Sequence, residues 1–326
     1  MNSALGLLQR LPATAVEKLP RAQAALTSPL ARKLLATLLT LGVLRHINRT
    51  LSRLVLNNWQ TDKWDWTKEL VLLTGGCSGI GKQLALDLAA RGIKVIIIDI
   101  QEPQFTLPSN VHFYRADVTS SENVSAVAVE IRKTHGDPTV LINNAGIGTE
   151  GTILDKPETA IRKTFEVNTL SHFATVKEFA PSMIRHNHGH IVTVASAASF
   201  VAVGQMVDYA CTKASALAFH EGLTQELRYC HGATKVRTSI IHPLWVRTPL
   251  IKRITDAGSL FRQSIMEPGE VSAAIVKHLL SGNSGQVIIP TRASIYPLIR
   301  ALPSWLQEML RGVGSRDLKR VQDHSR

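Results

Sequence analysis

Three side chains in the second half of the sequence have the types and spacing that proton transfer requires: Ser196, Tyr209 and Lys213. Tyr209 and Lys213 are four residues apart in a helical pattern from about 208 to 229, so both project from one helix face. Ser196 ends the apolar run HIVTVA, thirteen residues before Tyr209. A phenol has a pKa near ~10, and a nearby lysine cation favours phenolate and lowers that pKa. The trio predicts acid–base chemistry at an alcohol or carbonyl oxygen, with Ser196 holding that oxygen.

A Tyr-x-x-x-Lys pair alone is a common surface pattern, so a second motif is needed. The segment TGGCSGIGK at 74–82 follows a strand-like run and leads into a helical pattern. Its glycines allow a tight turn that places a pyrophosphate at the helix N-terminus, where free N–H groups and the helix dipole favour negative charge. Asp99 ends the next strand-like run, where a carboxylate hydrogen-bonds an adenosine ribose. Because a carboxylate repels a 2′-phosphate, the sequence favours NAD, with NADP as the alternative.

A competing interpretation of the same glycines is a P-loop. The segment 76–82 fits G-x-x-x-x-G-K, but the next residue is Gln83. A P-loop requires a Ser or Thr hydroxyl there to hold Mg²⁺. The strand, the helix and Asp99 together favour a dinucleotide instead.

Both motifs belong to a series of short apolar runs that alternate with longer amphipathic ones. Strands buried on both faces have continuous apolar sequences, and helical stretches between them supply parallel crossovers. The predicted class is α/β, a Rossmann-type doubly wound parallel sheet of about seven strands, whose ligands bind at the carboxyl ends of the strands. The predicted strands are Leu70–Thr74, Lys94–Asp99, His112–Arg115, Thr139–Asn143, His190–Ala195, Arg237–His242 and Gln286–Pro290.

The net charge of +12 is unevenly distributed over the 326 residues. Residues 1–66 carry +6, residues 67–290 carry +2 and residues 291–326 carry +4. A nucleic-acid enzyme would place its excess charge along the catalytic body, so no nucleic-acid partner is expected. We predict a basic amphipathic extension at 1–66, a catalytic domain at 67–290 and a basic amphipathic tail at 291–326. The three cysteines suggest a reducing compartment.

The N-terminal extension has the pattern of a helix that lies in a membrane surface. Its uncharged run, Leu34–Leu44, is eleven residues long, whereas a spanning helix needs ~20. Arg45, Arg49 and Arg53 repeat every fourth residue and share one helix face. Packing of this helix on its own domain or on a partner is the alternative.

The C-terminal tail carries a similar apolar stripe bordered by arginine and lysine. Trp305 is placed where it could sit at a lipid headgroup boundary. Packing in the core is an equal alternative. The residues of the stripe are Ile295, Leu298, Ile299, Leu302, Trp305, Leu306 and Leu310.

Over about residues 67–290 the chain resembles the short-chain dehydrogenases/reductases. The resemblance rests on TGGCSGIG at 74–81, Asp117-Val118, NNAG at 143–146, and Asn168, Ser196, Tyr209 and Lys213. It implies that the last four residues are catalytic, that Asn168 holds a water in the proton relay and that Lys213 also binds the nicotinamide ribose. The full set of expected cofactor contacts is Gly75, Ser78, Ile80, Gly81, Asp99, Asp117, Val118, Asn144, Ala145, Gly146, Tyr209, Lys213, Val246 and Thr248.

One position departs from the family pattern. Leu244 stands where the family usually has glycine, in the cofactor loop 242–248. If the backbone there needed positive φ, leucine would be strained by about 1–3 kcal/mol.

The extension and the segment NRTLSRLVLNNW resemble the retinol dehydrogenase and 17β-hydroxysteroid dehydrogenase-like branch, which has fungal members. This implies a dimeric enzyme at the cytoplasmic face of the endoplasmic reticulum or a lipid droplet. Its expected substrate is a retinoid-, steroid- or polyketide-like alcohol or ketone, and its expected role is in secondary metabolism. The apolar segment 249–268 is predicted to be a substrate lid. No metal site is expected, because His186, His188 and His190 lack a further ligand. The alternative is a non-catalytic dinucleotide sensor of the same fold.

Overall fold

In a computed structural model that describes residues 28–324, seven parallel strands form one sheet in the order β3-β2-β1-β4-β5-β6-β7. The seven predicted strands and the doubly wound class are therefore confirmed, with ends that move by one residue. The strands are β1 Leu70–Thr74, β2 Lys94–Asp99, β3 Val111–Arg115, β4 Val140–Asn143, β5 Gly189–Val194, β6 Val236–Pro243 and β7 Gly285–Ile289.

Several helices lie between successive strands and pack on both faces of the sheet. The helices of the described residues are numbered in chain order. They are α1 Pro29–Leu56, α2 Gly79–Ala89, α3 Ser121–His135, α4 Glu158–Phe165, α5 Ser171–His186, α6 Val207–Gln225, α7 Lys252–Asp256, α8 Pro268–Leu280 and α9 Ser304–His324. A π-helical turn at Glu166–Leu170 joins α4 to α5, and another at Glu226–Cys230 extends α6. The helix predicted for about 208–229 thus comprises α6 and its π-helical turn.

The core has two layers because successive side chains of a strand point to opposite faces. On β1, Val71 and Leu73 face a cluster that includes α2 and α8. Leu70 and Leu72 face the opposite cluster, which includes α3 and α5. Burial on both faces explains why the first four residues of β1, LVLL, form an unbroken apolar run.

The strand order reverses at β1. The chain moves outward from β1 through β2 to β3 and then crosses back to β4 on the other side of β1. At such a reversal the connections after β1 and β4 diverge and leave a crevice at the carboxyl ends of the strands. The glycine-rich segment follows β1 and NNAG follows β4, so both motifs border that crevice.

The chain divides into two compact units between Val55 and Leu56. In the first unit, residues 1–27 of the predicted extension lie outside the described residues. None of the residues of α1, all of which are described, is buried. Within residues 28–324, no helix is both long and apolar enough to cross a membrane.

In the second unit, residues after α1 are fixed to the sheet. The buried Arg237 guanidinium at the start of β6 donates to the carbonyl oxygens of Asn57 at 2.9 Å and Gln60 at 3.2 Å. The backbone N–H of Ser284 donates to Asn57 Oδ1 at 2.9 Å. These bonds anchor the segment at the amino ends of β6 and β7, away from the edge that carries the crevice.

The C-terminal helix α9 presents one face to the body of this unit. Gly314, Asp317, Leu318 and Val321 are buried. The last two side chains pack in a cluster with residues of the predicted lid, including Ile254. Residues 325 and 326 of the predicted tail lie outside the described residues.

Candidate active site

A cavity of about 1160 Å³ opens at the carboxyl edge of the sheet. Its walls come from the segments that follow β1, β2, β3, β4, β5 and β6, and from residues 295–314 near the C-terminus. A cavity of this volume exceeds the ~300–1,000 Å³ usual for one small ligand. It is large enough for a dinucleotide and a second molecule.

Two positions in the turn after β1, Gly75 and Gly81, have a backbone geometry that leaves no room for a side chain. Gly75 has a φ of +67° and its N–H donates to the carbonyl oxygen of Ile98 at 2.8 Å. A Cβ on Gly81 would lie 2.1 Å from the carbonyl oxygen of Gly75. Helix α2 begins at Gly79, and the Ser78 side chain makes no capping hydrogen bond. The first N–H groups of α2 therefore remain available to an anion, which fits the pyrophosphate of a dinucleotide.

The NNAG segment after β4 locks this turn in place. Asn144 Nδ2 donates to the carbonyl oxygens of Thr74 and Gly75, both at 3.0 Å. Thr74 Oγ1 accepts from the N–H groups of Asn144 and Ala145, also at 3.0 Å. The predicted residues Ala145 and Gly146 line the cavity beside Gly75, Ser78, Ile80 and Gly81.

Two carboxylates, Asp99 and Asp117, line the cavity where β2 and β3 end. Asp99 accepts from the N–H of Cys77 at 2.9 Å through Oδ2 and from the N–H of Gln101 at 3.0 Å through Oδ1. Each oxygen keeps a lone pair for a ribose hydroxyl. The wall continues with Asp117, Val118 and Lys163.

Lys163 was not among the predicted residues. Its Nζ lies 3.4 Å from Asp117 Oδ2 and 3.0 Å from Thr119 Oγ1. Burial acts to raise the pKa of Asp117, but the hydrogen bonds from Thr119 and the charge of Lys163 outweigh it and hold this pKa below its usual value. A lone lysine forty-six residues from its partner gives no sequence signal.

Ser196, Tyr209 and Lys213 meet where β5 ends and α6 begins, and all three line the cavity. Lys213 is only 3% exposed, and its Nζ donates to the carbonyl oxygen of Val194, the last residue of β5, at 3.0 Å. Burial lowers the pKa of Lys213 to about 8. Ser196 Oγ accepts from the N–H of Ala198 at 3.1 Å, which orients its hydroxyl.

The environment of Tyr209 differs from the expectation of a lowered pKa. Burial raises the pKa of the phenol, and a hydrogen bond with the Ser196 side chain offsets this only in part. Lys213 Nζ lies 5.6 Å from the centre of the Tyr209 ring and is directed to Val194. The phenol is therefore protonated at neutral pH and suited to donate a proton.

Asn168 connects its own segment by hydrogen bonds to Ile147 and Thr212, next to these residues. It lies in the π-helical turn after α4 and is fully buried. Its Nδ2 donates to the carbonyl oxygen of Ile147 at 2.8 Å and to Thr212 Oγ1 at 3.1 Å, and its Oδ1 accepts from the N–H of Ile147 at 2.8 Å. A Cβ on Gly146 would lie 3.5 Å from Asn168 Oδ1 and 3.6 Å from Lys213 Nζ. All four predicted catalytic residues are thus brought together.

The loop after β6 brings Val246 and Thr248 to the cavity. It is held by hydrogen bonds from the N–H of Met266 to the carbonyl oxygen of Trp245 and from the N–H of Arg247 to that of Met266. Leu244 has no strained backbone, and its side chain packs against the core. Among the described residues other than glycine, positive φ occurs at Asn58, Trp59, Asn187 and Gln205.

Beyond Tyr209 the cavity wall is almost entirely apolar. The predicted lid contributes Leu250 and Ile251, and Val201 and Val203 line the opposite side, whereas Phe200 packs on His242. The C-terminal segment completes this wall, which the sequence did not predict, although the helical spacing of its apolar residues was a usable signal. Its contributors are Ile295, Tyr296, Leu298, Ile299, Leu302, Leu310, Val313 and Gly314.

Comparisons with known proteins agree with this geometry. The family described as short chain dehydrogenase matches residues 69–258, more than half of the chain. Dehydrogenase RED2 of Cochliobolus heterostrophus is 46% identical over 208 residues, which are 63% of this chain and 78% of the relative. Estradiol 17-beta-dehydrogenase 11 of Rattus norvegicus is 34% identical over 256 residues, 74% of this chain and 83% of the relative.

Solved structures share the fold. A 3-ketoacyl-(acyl-carrier-protein) reductase from Brucella melitensis, complexed with NADH, superposes with a TM-score of 0.61 at 20% identity. The superposition covers 68% of this chain and 96% of that chain. At this identity the likeness shows the architecture alone.

Proposed function

The chain belongs to the short-chain dehydrogenase family and is an NAD(P)-dependent oxidoreductase of a small molecule, and from that premise we propose that it interconverts alcohol and carbonyl groups on a lipophilic substrate with Tyr209 as general acid/base. The observation that carries the proposal is that one cavity contains all the parts that the reaction needs. A glycine turn that fits a dinucleotide lies at one end, an apolar wall lies at the other, and Tyr209 stands between them.

Tyr209 and the residues around it have different roles in the proposed reaction. A nicotinamide dinucleotide bound at the glycine turn would supply or accept the hydride. Tyr209 donates a proton to the carbonyl oxygen in reduction and takes the proton back in oxidation. Its raised pKa keeps the phenol in the protonated form that reduction requires. Ser196 hydrogen-bonds the same oxygen. Lys213, held by Val194, binds the nicotinamide ribose, and Asn168 supports the relay by fixing the backbone of Ile147.

The apolar wall supports the proposed class of substrate. A wall of valine, leucine and isoleucine side chains offers no compensation for buried polar groups, so it selects an apolar body. Retinoid-, steroid- or polyketide-like molecules have such bodies. A non-catalytic sensor of the same fold would not need Ser196, Tyr209, Lys213 and Asn168 together, so the enzyme is the better account.

Replacing Tyr209 with phenylalanine tests the proton transfer. We expect Tyr209→Phe to lower turnover by about a hundredfold or more, because positioned acid–base groups contribute about that much. NADH should still bind, as measured by fluorescence titration, because the other expected cofactor contacts remain. Turnover is measured with NAD on a panel of apolar alcohols. Tyr229→Phe is the matched control, because Tyr229 is exposed. Wild-type turnover in Tyr209→Phe would show that the assigned mechanism is wrong.

We propose NAD as the preferred cofactor because Asp99 holds two backbone N–H groups and faces the cavity. We expect Asp99→Ser to lose more affinity for NADH than for NADPH, since the variant loses a ribose acceptor and no longer repels the 2′-phosphate. Dissociation constants for both dinucleotides give the ratio. Equal losses for the two would contradict a ribose contact at Asp99.

We propose that α1 binds the cytoplasmic face of a membrane or lipid droplet. Exposed leucines such as Leu38 and Leu41 lie on it together with Arg45 and Arg49. Such a helix binds an anionic lipid surface through its apolar side chains and its charge. A homodimer and a role in secondary metabolism stay predictions from the family resemblance.

Charge reversal on α1 tests this membrane proposal. The double variant Arg45→Glu/Arg49→Glu should bind vesicles that contain phosphatidylserine at least about tenfold more weakly, as each basic residue near such a surface contributes about 1 kcal/mol. The control, Lys133→Glu/Lys277→Glu, makes the same charge change at exposed positions of α3 and α8. Equal co-sedimentation of the two variants with the vesicles would rule out α1 as the membrane contact.

A further inference from the structure

The polar side chains that line the cavity are unevenly distributed. Most belong to the dinucleotide end or to the Ser196–Tyr209–Lys213 trio. Among the remaining described lining residues, three carry a polar side-chain group: Trp245, Gln263 and Tyr296. They stand in the otherwise apolar wall on the substrate side.

The orientation of the Gln263 amide is fixed by Trp245. The indole Nε1–H can only donate, and it donates to Gln263 Oε1 at 2.8 Å. The amide oxygen is therefore the atom that faces Trp245, and the Nε2 group with its two N–H donors points elsewhere. Trp245 itself is held by an edge-on contact with Phe261, with ring centres 5.0 Å apart.

The Nε2 group of Gln263 stands beside Gly314 of α9. A Cβ on Gly314 would lie 3.5 Å from Nε2 and 2.7 Å from Val203 Cγ1, so glycine keeps this part of the wall open. Gly314, Val203 and Gln263 all line the cavity. Within residues 28–324, no protein acceptor hydrogen-bonds Nε2.

A donor in this position has a consequence for the substrate. When an apolar molecule fills the cavity and displaces water, an unpaired N–H loses its hydrogen bonds and binding is weakened. A molecule that carries an acceptor oxygen at this point avoids that loss. The cavity therefore distinguishes two substrates with equally apolar bodies by an oxygen that takes no part in the reaction.

We infer that Gln263 determines specificity by donating a hydrogen bond from Nε2 to an acceptor oxygen of the substrate remote from the reacting carbon. The substrate is then an elongated apolar alcohol or ketone that carries a second oxygen as hydroxyl, carbonyl or ether. The inference rests on the proposed function, because it takes the reacting oxygen to be bound at Ser196 and Tyr209.

The test uses ligand pairs that differ in one remote oxygen. The pairs are estradiol and its analogue without the phenolic hydroxyl, oxoretinol with a ring carbonyl and retinol, and a long-chain secondary alcohol with and without a terminal methoxy group. Dissociation constants are measured by calorimetry on the full-length protein saturated with NADH. In at least one pair the oxygenated member should bind about three- to tenfold more tightly, the range of one neutral hydrogen bond.

Two variants of Gln263 and one control variant test whether Gln263 causes the preference for the oxygenated ligand. Gln263→Leu should abolish it, because no donor remains. Gln263→Glu keeps an oxygen for the Trp245 indole and turns an acceptor toward the ligand. It should abolish or reverse the preference in the carbonyl and methoxy pairs, whose oxygens cannot donate, whereas the phenolic hydroxyl of estradiol can donate to it. Tyr296→Phe removes the other unassigned polar group of the wall and should retain the preference. Thermal unfolding of each variant checks that the fold is intact.

The outcomes that overturn the inference differ from those that overturn the dehydrogenase mechanism. Equal affinities within every pair, the absence of binding by all ligands, or a preference lost in Tyr296→Phe and kept in Gln263→Leu would each overturn it. Turnover of the members that lack the remote oxygen depends on Tyr209 and not on Gln263. If they are oxidised while no pair shows a preference, the proposed function stands and the role of Gln263 does not.

Discussion

The buried ammonium of Lys213 is the constraint on which the rest of the site depends. Its hydrogen bond to the Val194 carbonyl joins the first half of α6 to the end of β5. A lysine that is 3% exposed must be held by such bonds, because burial disfavours its charge and lowers its pKa to about 8. Tyr209 lies one turn earlier on the same helix, so the bond also sets where the phenol stands relative to Ser196.

The parallel sheet brings the other groups to the same edge. The glycine turn after β1 and NNAG after β4 interlock through Thr74 and Asn144, at the point where the strand order reverses. Asn168 then links Ile147, just after NNAG, to Thr212, the residue before Lys213. The dinucleotide turn and the acid–base groups are therefore connected by an unbroken set of backbone and side-chain hydrogen bonds.

The sequence was sufficient for the parts of the molecule with local signals. The central strands were predicted because burial on both faces leaves runs such as LVLL of β1 without polar residues. Ser196, Tyr209 and Lys213 were predicted to be catalytic from their spacing along one strand end and one helix, whereas Asn168 was predicted from the family resemblance. Lys163, Gln263 and the wall from residues 295–314 were missed, since their roles depend on tertiary contacts such as those of Lys163 with Asp117 and Gln263 with Trp245. The raised pKa of Tyr209 was also missed, because it follows from the burial of the phenol in the folded chain.

The most direct test of this account is an NMR titration of Lys213 in protein labelled with ¹³C at lysine Cε, with Lys213→Met to assign the resonance. We expect Lys213 to titrate with a pKa of about 8, because burial of its ammonium group beneath the cavity disfavours the charge. A pKa near 10.5, the value of an ordinary lysine, would contradict it. The ammonium would then be solvated, and its burial beneath the cavity, on which the site depends, would be wrong.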